Sequence, residues 1–199
     1  MNQEQQPPPQ PPAGGEDYER APNPEPKIYV ASLADYVAGR LYGRWIDAAQ
    51  PPEALLAAIS EVLAAAPTPG AEEWAIHDYE NFGPLRLGEY ESANTISTVA
   101  QGIVEHGPAF AAWASQVDIH NAEEMERFED CYLGHWESVE AYAEDLVEDL
   151  GTLSAIEQAA GSLAPYVKVD MEALARDMEL GGDVAALEAE AGGVYLFSP

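Results

Sequence analysis

Apolar positions change their spacing along the chain, and the changes mark out elements. Ile28-Tyr29-Val30-Ala31 and Arg44-Trp45-Ile46 are short β-prone runs, and Gly39 and Gly43 punctuate the stretch between them. Pro51 and Pro52 open a helix in which Leu55, Ile59, Val62 and Leu63 fall at helical spacing, until Pro67-Thr68-Pro69-Gly70 stops it. Trp74 to Tyr79 alternates as a third strand, with Trp74 and Ile76 inward and His77 at the surface or an interface. Helical spacing returns at Ile96, Val99, Ala100 and Ile103, breaks at Gly107-Pro108, and resumes at Phe110, Trp113, Ala114 and Val117. Asn121 followed by Glu124 predicts a capped third helix.

Beyond Phe128 the pattern mixes again. Cys131-Tyr132-Leu133 reads as a short strand. Ser138 caps a helix ending at Gly151, with Val139, Tyr142, Leu146 and Leu150 as its buried face. Asp170 caps another, with Met171, Leu174, Ala175 and Met178 inward, ended by Gly181-Gly182. Asp183 to Phe197 reads as a hairpin turning at Gly192-Gly193. The elements group as α+β over residues 27–90, helical over 91–127, and α+β over 128–199. Residues 1–26 are Pro-rich and include Pro7-Pro8-Pro9-Gln10-Pro11-Pro12, which favours polyproline II and predicts a disordered tail.

Charge changes this picture most. The chain has 36 acidic and 8 basic residues among 199, a net charge of −28. Between Asp118 and Asp149 there are twelve carboxylates against Arg127 alone. On the helix after Ser138, Glu140, Glu144 and Glu148 recur at i, i+4, i+8, with Asp145 and Asp149 beside them and Glu137 just ahead. Like charges at that spacing cost about 0.2–0.5 kcal/mol per pair, so three such pairs cost roughly 1 kcal/mol. Glu148 and Asp149 also sit at the negative end of the helix dipole. From Glu137 to Asp149 a helix rises roughly 18 Å, about half a turn of duplex DNA. Six carboxylates over that length fall short of phosphate density. They approach it if Glu123, Glu124, Glu126, Glu129 and Asp130 join the same surface. A run of charge is also what a solvated face or adaptation to high salt produces; 25 Glu against 11 Asp argues against the latter.

A chain this acidic is a poor binder of phosphates or anionic membranes, since only Arg127, Lys168 and Arg176 follow Arg86. No apolar run approaches the ~20 residues of a membrane span, and no signal-peptide pattern is present, so the cytoplasm is the expected compartment. Cys131 is the lone cysteine, and its acidic neighbourhood opposes a nucleophilic thiolate, which leaves core packing. His77, His106, His120 and His135 are scattered without metal-ligand spacing. No phosphate loop, nucleophile elbow or dinucleotide fingerprint occurs. No cofactor, metal or catalytic residue is expected.

Several segments together resemble the ArdA family of antirestriction proteins. They are Ile28 to Tyr36 with Gly39 and Gly43 to Asp47, Glu73-Trp74-Ala75-Ile76-His77-Asp78-Tyr79-Glu80, Glu89 to Ser92, Phe128 to Tyr132, Trp136 to Tyr142, and Tyr166, Asp170, Ala175 to Leu180 and Gly193 to Tyr195. The resemblance implies a non-enzymatic inhibitor from a mobile element that occupies the DNA-binding groove of type I restriction–modification enzymes by mimicking bent B-form DNA. It also implies an elongated molecule of three small domains in a row, and a homodimer whose contact lies near Tyr132 and Leu133. The Pro-rich tail departs from the family pattern. Two other readings stay open: an acidic module for a different basic DNA-binding protein, and a carboxylate-based hydrolase.

Overall fold

The computed structural model describes residues 23–199. The expected tail lies outside them up to residue 22, but its last four residues are tied to the fold. Asn23 Nδ2 donates to Val104 O at 2.7 Å, Asn81 Nδ2 donates to Glu25 O at 2.7 Å, and Pro26 is buried while its carbonyl accepts from Ala48 N. The described fold therefore takes in Asn23 to Pro26, ahead of Lys27.

The chain forms β1 (Lys27–Ser32), α1 (Leu33–Val37), β2 (Gly43–Asp47), α2 (Pro52–Ala64) and β3 (Trp74–Glu80). Next come the helices α3 (Ala93–His106), α4 (Pro108–Ala114), α5 (Ala122–Glu126) and α6 (Phe128–Cys131). The last part holds β4 (Tyr132–Trp136), α7 (Val139–Asp149), α8 (Thr152–Ala160), a 3₁₀ segment (Gly161–Tyr166), α9 (Met171–Gly181), β5 (Ala185–Glu188) and β6 (Val194–Phe197). The fold is mixed, with two small antiparallel sheets ordered β2-β1-β3 and β4-β6-β5.

In the first sheet Tyr29 faces Trp45 and Val30 faces Arg44. Gly43 is required there, because a Cβ would collide with Val30 O and the Tyr29 ring. A bulge opposite Tyr29 and Val30 leaves His77 without a register partner, so the alternation slips and both Ala75 and Ile76 are buried. Ser32 caps α1. Its hydroxyl, the Arg40 guanidinium and the Thr68 hydroxyl surround the buried Asp35: Ser32 Oγ donates at 2.9 Å, Arg40 Nε at 2.9 Å and Thr68 Oγ1 at 2.7 Å. Burial opposes ionisation of Asp35, but these hydrogen bonds outweigh it and hold its pKa down at about 2.

One apolar cluster joins β1, α2, β3, α3, α4, α5, α6 and β6. Ser92 caps α3 by accepting from Thr95 N, and Ile96, Val99, Ala100 and Ile103 are fully buried. Each isoleucine contributes about 1.5–3 kcal/mol on burial. Gly102 lets the Phe110 ring of α4 lie directly against α3. Cys131 ends α6 rather than starting a strand, because the helix carries it under the cluster, where it is 2% exposed.

A second, smaller cluster consists of Val139, Ala143, Ala175, Met178, Val184 and Leu196. It corrects the face expected of α7. Ala143 and Val147 replace Leu150 in the interior, and Leu150 is 71% exposed, because the helix rolls its small residues toward α9. The two clusters meet on β6, where Leu196 enters the second and Phe197 the first, against Trp113 at 5.1 Å and Tyr132 at 5.4 Å. The apolar pattern does not resolve α8 and the 3₁₀ segment, since neither buries a residue.

Candidate functional site

The expected acidic residues occupy two platforms. On the first, Asn121 caps α5 through Glu123 N at 3.1 Å, while Met125 and Phe128 anchor α5 and α6 in the first cluster. Glu123, Glu126, Glu129 and Asp130 are exposed. Glu124 is half-buried and engaged: its carboxylate accepts from Asn121 Nδ2 at 3.1 Å and from Asp118 N at 3.0 Å. This departs from a simple capping box, because the Asn121 side chain takes the bond that its own backbone N–H would make. Glu129 lies 4.0 Å from His106 Nε2, whose ring stacks on Phe110. Glu123 and Glu124 sit in the first turn of α5, where the helix dipole favours them.

The second platform is α7. Ser138 Oγ accepts from Ala141 N at 3.1 Å and starts the helix. Burial of Val139, Ala143 and Val147 turns Glu140, Glu144 and Glu148 outward as one exposed row, with Glu137 ahead of it and Asp149 at its end. Asp145 is half-buried on the flank, and together with burial, the larger cause, it raises the Tyr142 pKa. No basic residue occupies the last turn, so Glu148 and Asp149 stay unfavourably placed against the dipole. Among the described residues, no cation lies within ion-pairing distance of the α7 carboxylates.

α7 packs on α9, α8 and β4, and so belongs to the second cluster, whereas α5 and α6 belong to the first. Tertiary structure adds acids that the α7 periodicity did not signal. A groove of about 670 Å³ runs between the start of α7, α9 and the β5–β6 hairpin. Glu137 lines it from just ahead of α7 and Glu140 from its first turn, Glu172 and Glu179 from α9, and Glu188 from β5, with Arg176 the basic residue among them. The seven-residue spacing of Glu172 and Glu179 was a readable sign that they share one face of α9. Tyr132 is half-buried and stacks on Phe128 at 5.1 Å. Leu133 is half-buried against the second cluster.

Among the described residues no group of His, Cys, Asp and Glu is arranged to hold a metal ion, and no helix is long and apolar enough to cross a membrane. Exposed carboxylate rows held on buried apolar supports are thus the main chemical feature of these two platforms. A family model, that of the antirestriction protein ArdA, matches residues 28–191, and the chain belongs to this family. It is thus an antirestriction protein, a member of an inhibitor family that restrains restriction enzymes. Among curated proteins, none matches the chain.

Proposed function

We propose that the protein inhibits a type I restriction–modification enzyme by presenting carboxylates where the enzyme's DNA-binding subunits expect phosphates. The row Glu140, Glu144 and Glu148, unpaired and rigidly backed by Val139, Ala143 and Val147, is the observation that carries this reading. Side chains one helical turn apart give a regular line of negative charge. Glu137, Glu172, Glu179 and Glu188 continue it around the groove, and Glu123, Glu126, Glu129 and Asp130 extend it on the first platform. A line of charge of this kind draws Lys and Arg and displaces their counterions, as DNA does. The protein then acts without a catalytic step or cofactor.

The reading includes an elongated chain of three small units, residues 27–90, 91–127 and 128–199, acting as a homodimer in the cytoplasm after expression from a mobile element. Two buried supports for the two acidic platforms suit an extended surface better than a single contact.

The test is competition between this protein and duplex DNA for a purified type I methyltransferase core. Displacement that weakens steeply as salt rises is the expected result. Replacing Glu144 or Glu148 singly by Gln should cost little, and replacing Glu137, Glu140, Glu144, Asp145, Glu148 and Asp149 together should abolish displacement. Binding indifferent to salt, or lost on one Glu→Gln change in a folded protein, would rule the mimicry out and favour a single specific contact.

A further inference from the structure

The chain enters its fold beside a crevice that the acidic platforms do not use. It has a volume of about 360 Å³ and lies where the end of the first sheet, α4 and the β5–β6 hairpin meet. Tyr79, Phe82, Pro84, Pro108 and Tyr195 line it, and Pro24 lies against it. Tyr79 meets the buried Phe82 edge to face at 5.8 Å, so this wall is backed by the first cluster. Arg86 is exposed at the rim and makes no ion pair among the described residues. Burial, and then the charge of Glu190, raises the Tyr195 pKa and keeps its hydroxyl a donor. Residues 23–26 show how proline-rich chain is held here. Asn81 Nδ2 donates at 2.7 Å to the carbonyl of Glu25, between Pro24 and Pro26, and Ala48 N donates to the Pro26 carbonyl at 3.0 Å. Proline has no N–H, so chain rich in it is held by donors to its carbonyls and by aromatic rings packed on its own rings. The crevice offers both.

We propose that this crevice is a polyproline-binding site and that its occupant is the chain's own run Pro7-Pro8-Pro9-Gln10-Pro11-Pro12. The run has the matching chemistry. It carries no charge, so Glu188 and Glu190 beside the crevice do not repel it. Gln10 holds its one backbone N–H, which leaves its carbonyls in need of outside donors, and Tyr79, Tyr195 and Arg86 supply them. The acidic stretch Glu16-Asp17-Tyr18-Glu19 would instead set like charge against Glu188 and Glu190. Reach favours the chain's own run as well. Residues 13–22 join it to Asn23, a connection that spans up to roughly 35 Å, and Pro24 is already at the crevice. Tethering of this kind gives an effective concentration in the millimolar range, which a run borne by another copy does not have.

Nuclear magnetic resonance of the tyrosine rings in the full chain tests it. A variant with Pro8→Ser, Pro9→Ser, Pro11→Ser and Pro12→Ser changes the occupant and none of the residues that line the crevice, so circular dichroism should not change. The ring signals of Tyr79 and Tyr195 should shift between the unaltered protein and the variant. Those of Tyr36 and Tyr90, which are exposed and outside the crevice, should stay in place. A peptide of residues 5–14, added to the variant at millimolar concentration, should return the two shifted signals. Tyr79 and Tyr195 signals alike in both proteins, or a peptide that moves Tyr36 and Tyr90 as much, would overturn the proposal. So would a difference that fades on dilution, which would put another copy's run in the crevice.

Discussion

The helices α3 and α7 begin alike and end up doing opposite work. Each starts at a serine whose hydroxyl accepts a backbone N–H three residues on. α3 then sinks Ile96, Val99, Ala100 and Ile103 into a cluster shared by eight elements. α7 buries Val139 and Ala143 in a much smaller cluster and turns an unpaired acidic row outward. A cap and an apolar stripe are enough to place a helix, but the size of the core beneath it decides how much unfavourable charge it can carry. In the first region burial dominates; in the second, electrostatic repulsion is a sizeable share of a small total.

The sharpest way to break this comparison is to open both cores. Phe197→Ala should destabilise by about 3–5 kcal/mol in denaturant unfolding, because the ring fills the first cluster against Trp113, Phe128 and Tyr132. Met178→Ala in the second cluster should cost about 2 kcal/mol, the low end for such a change. If Met178 proves the more costly, the second core is not the weaker one.

A smaller effect tests how tightly the first region is packed. Gly→Ala inside a helix ordinarily gains about 1 kcal/mol. At Gly102 the new methyl would strike the Phe110 ring, which is itself pinned by His106 and Phe128. Overpacking of about 1–3 kcal/mol should win, and the melting temperature should fall by a few degrees. A rise would show that the α3–α4 contact has slack.

In the second region the sign reverses. Replacing Glu140, Glu144 and Glu148 together by Gln removes two like-charge pairs and should stabilise by about 0.4–1 kcal/mol. Added salt should do part of the same for the unaltered protein and less for the variant, as melting curves at two ionic strengths would reveal. The last comparison is made in acid. Asp35 has its pKa lowered from the ordinary 3.8 to about 2 in the fold, so its network stabilises fully above about pH 4 and is lost as pH falls through 2. Acid titration of unfolding should therefore be shallower for Asp35→Asn than for the native protein.

Local signals were legible. Gly43, the Pro51-Pro52 start, the caps at Ser138, Asn121 and Asp170, and the Gly192-Gly193 turn act through bonds within a few residues, and all fall where the sequence predicts. What depends on distant partners was not. The interior of α7 is chosen by α9, so Leu150 could not be told from a core residue by spacing. Cys131 shares its helix with Phe128 because both reach the first cluster. Glu172, Glu179 and Glu188 join Glu137 and Glu140 only when the second sheet brings α9 and β5 beside α7. The 150–169 segment resisted assignment because its apolar residues have no internal face to point to.

The order of strands in the second sheet has a bearing on timing. β6 is its centre, hydrogen-bonded to β4 on one side and β5 on the other, and it comes last of the three along the chain. The first sheet is built around β1, its earliest strand, and β2 pairs with it across a short connection. A nascent chain can therefore close the first sheet while synthesis continues, whereas β4 must wait through α7, α8 and α9 for its neighbour. The acidic α7 emerges before β6 can complete the sheet beside it, so its carboxylate row is among the last parts of the molecule to mature.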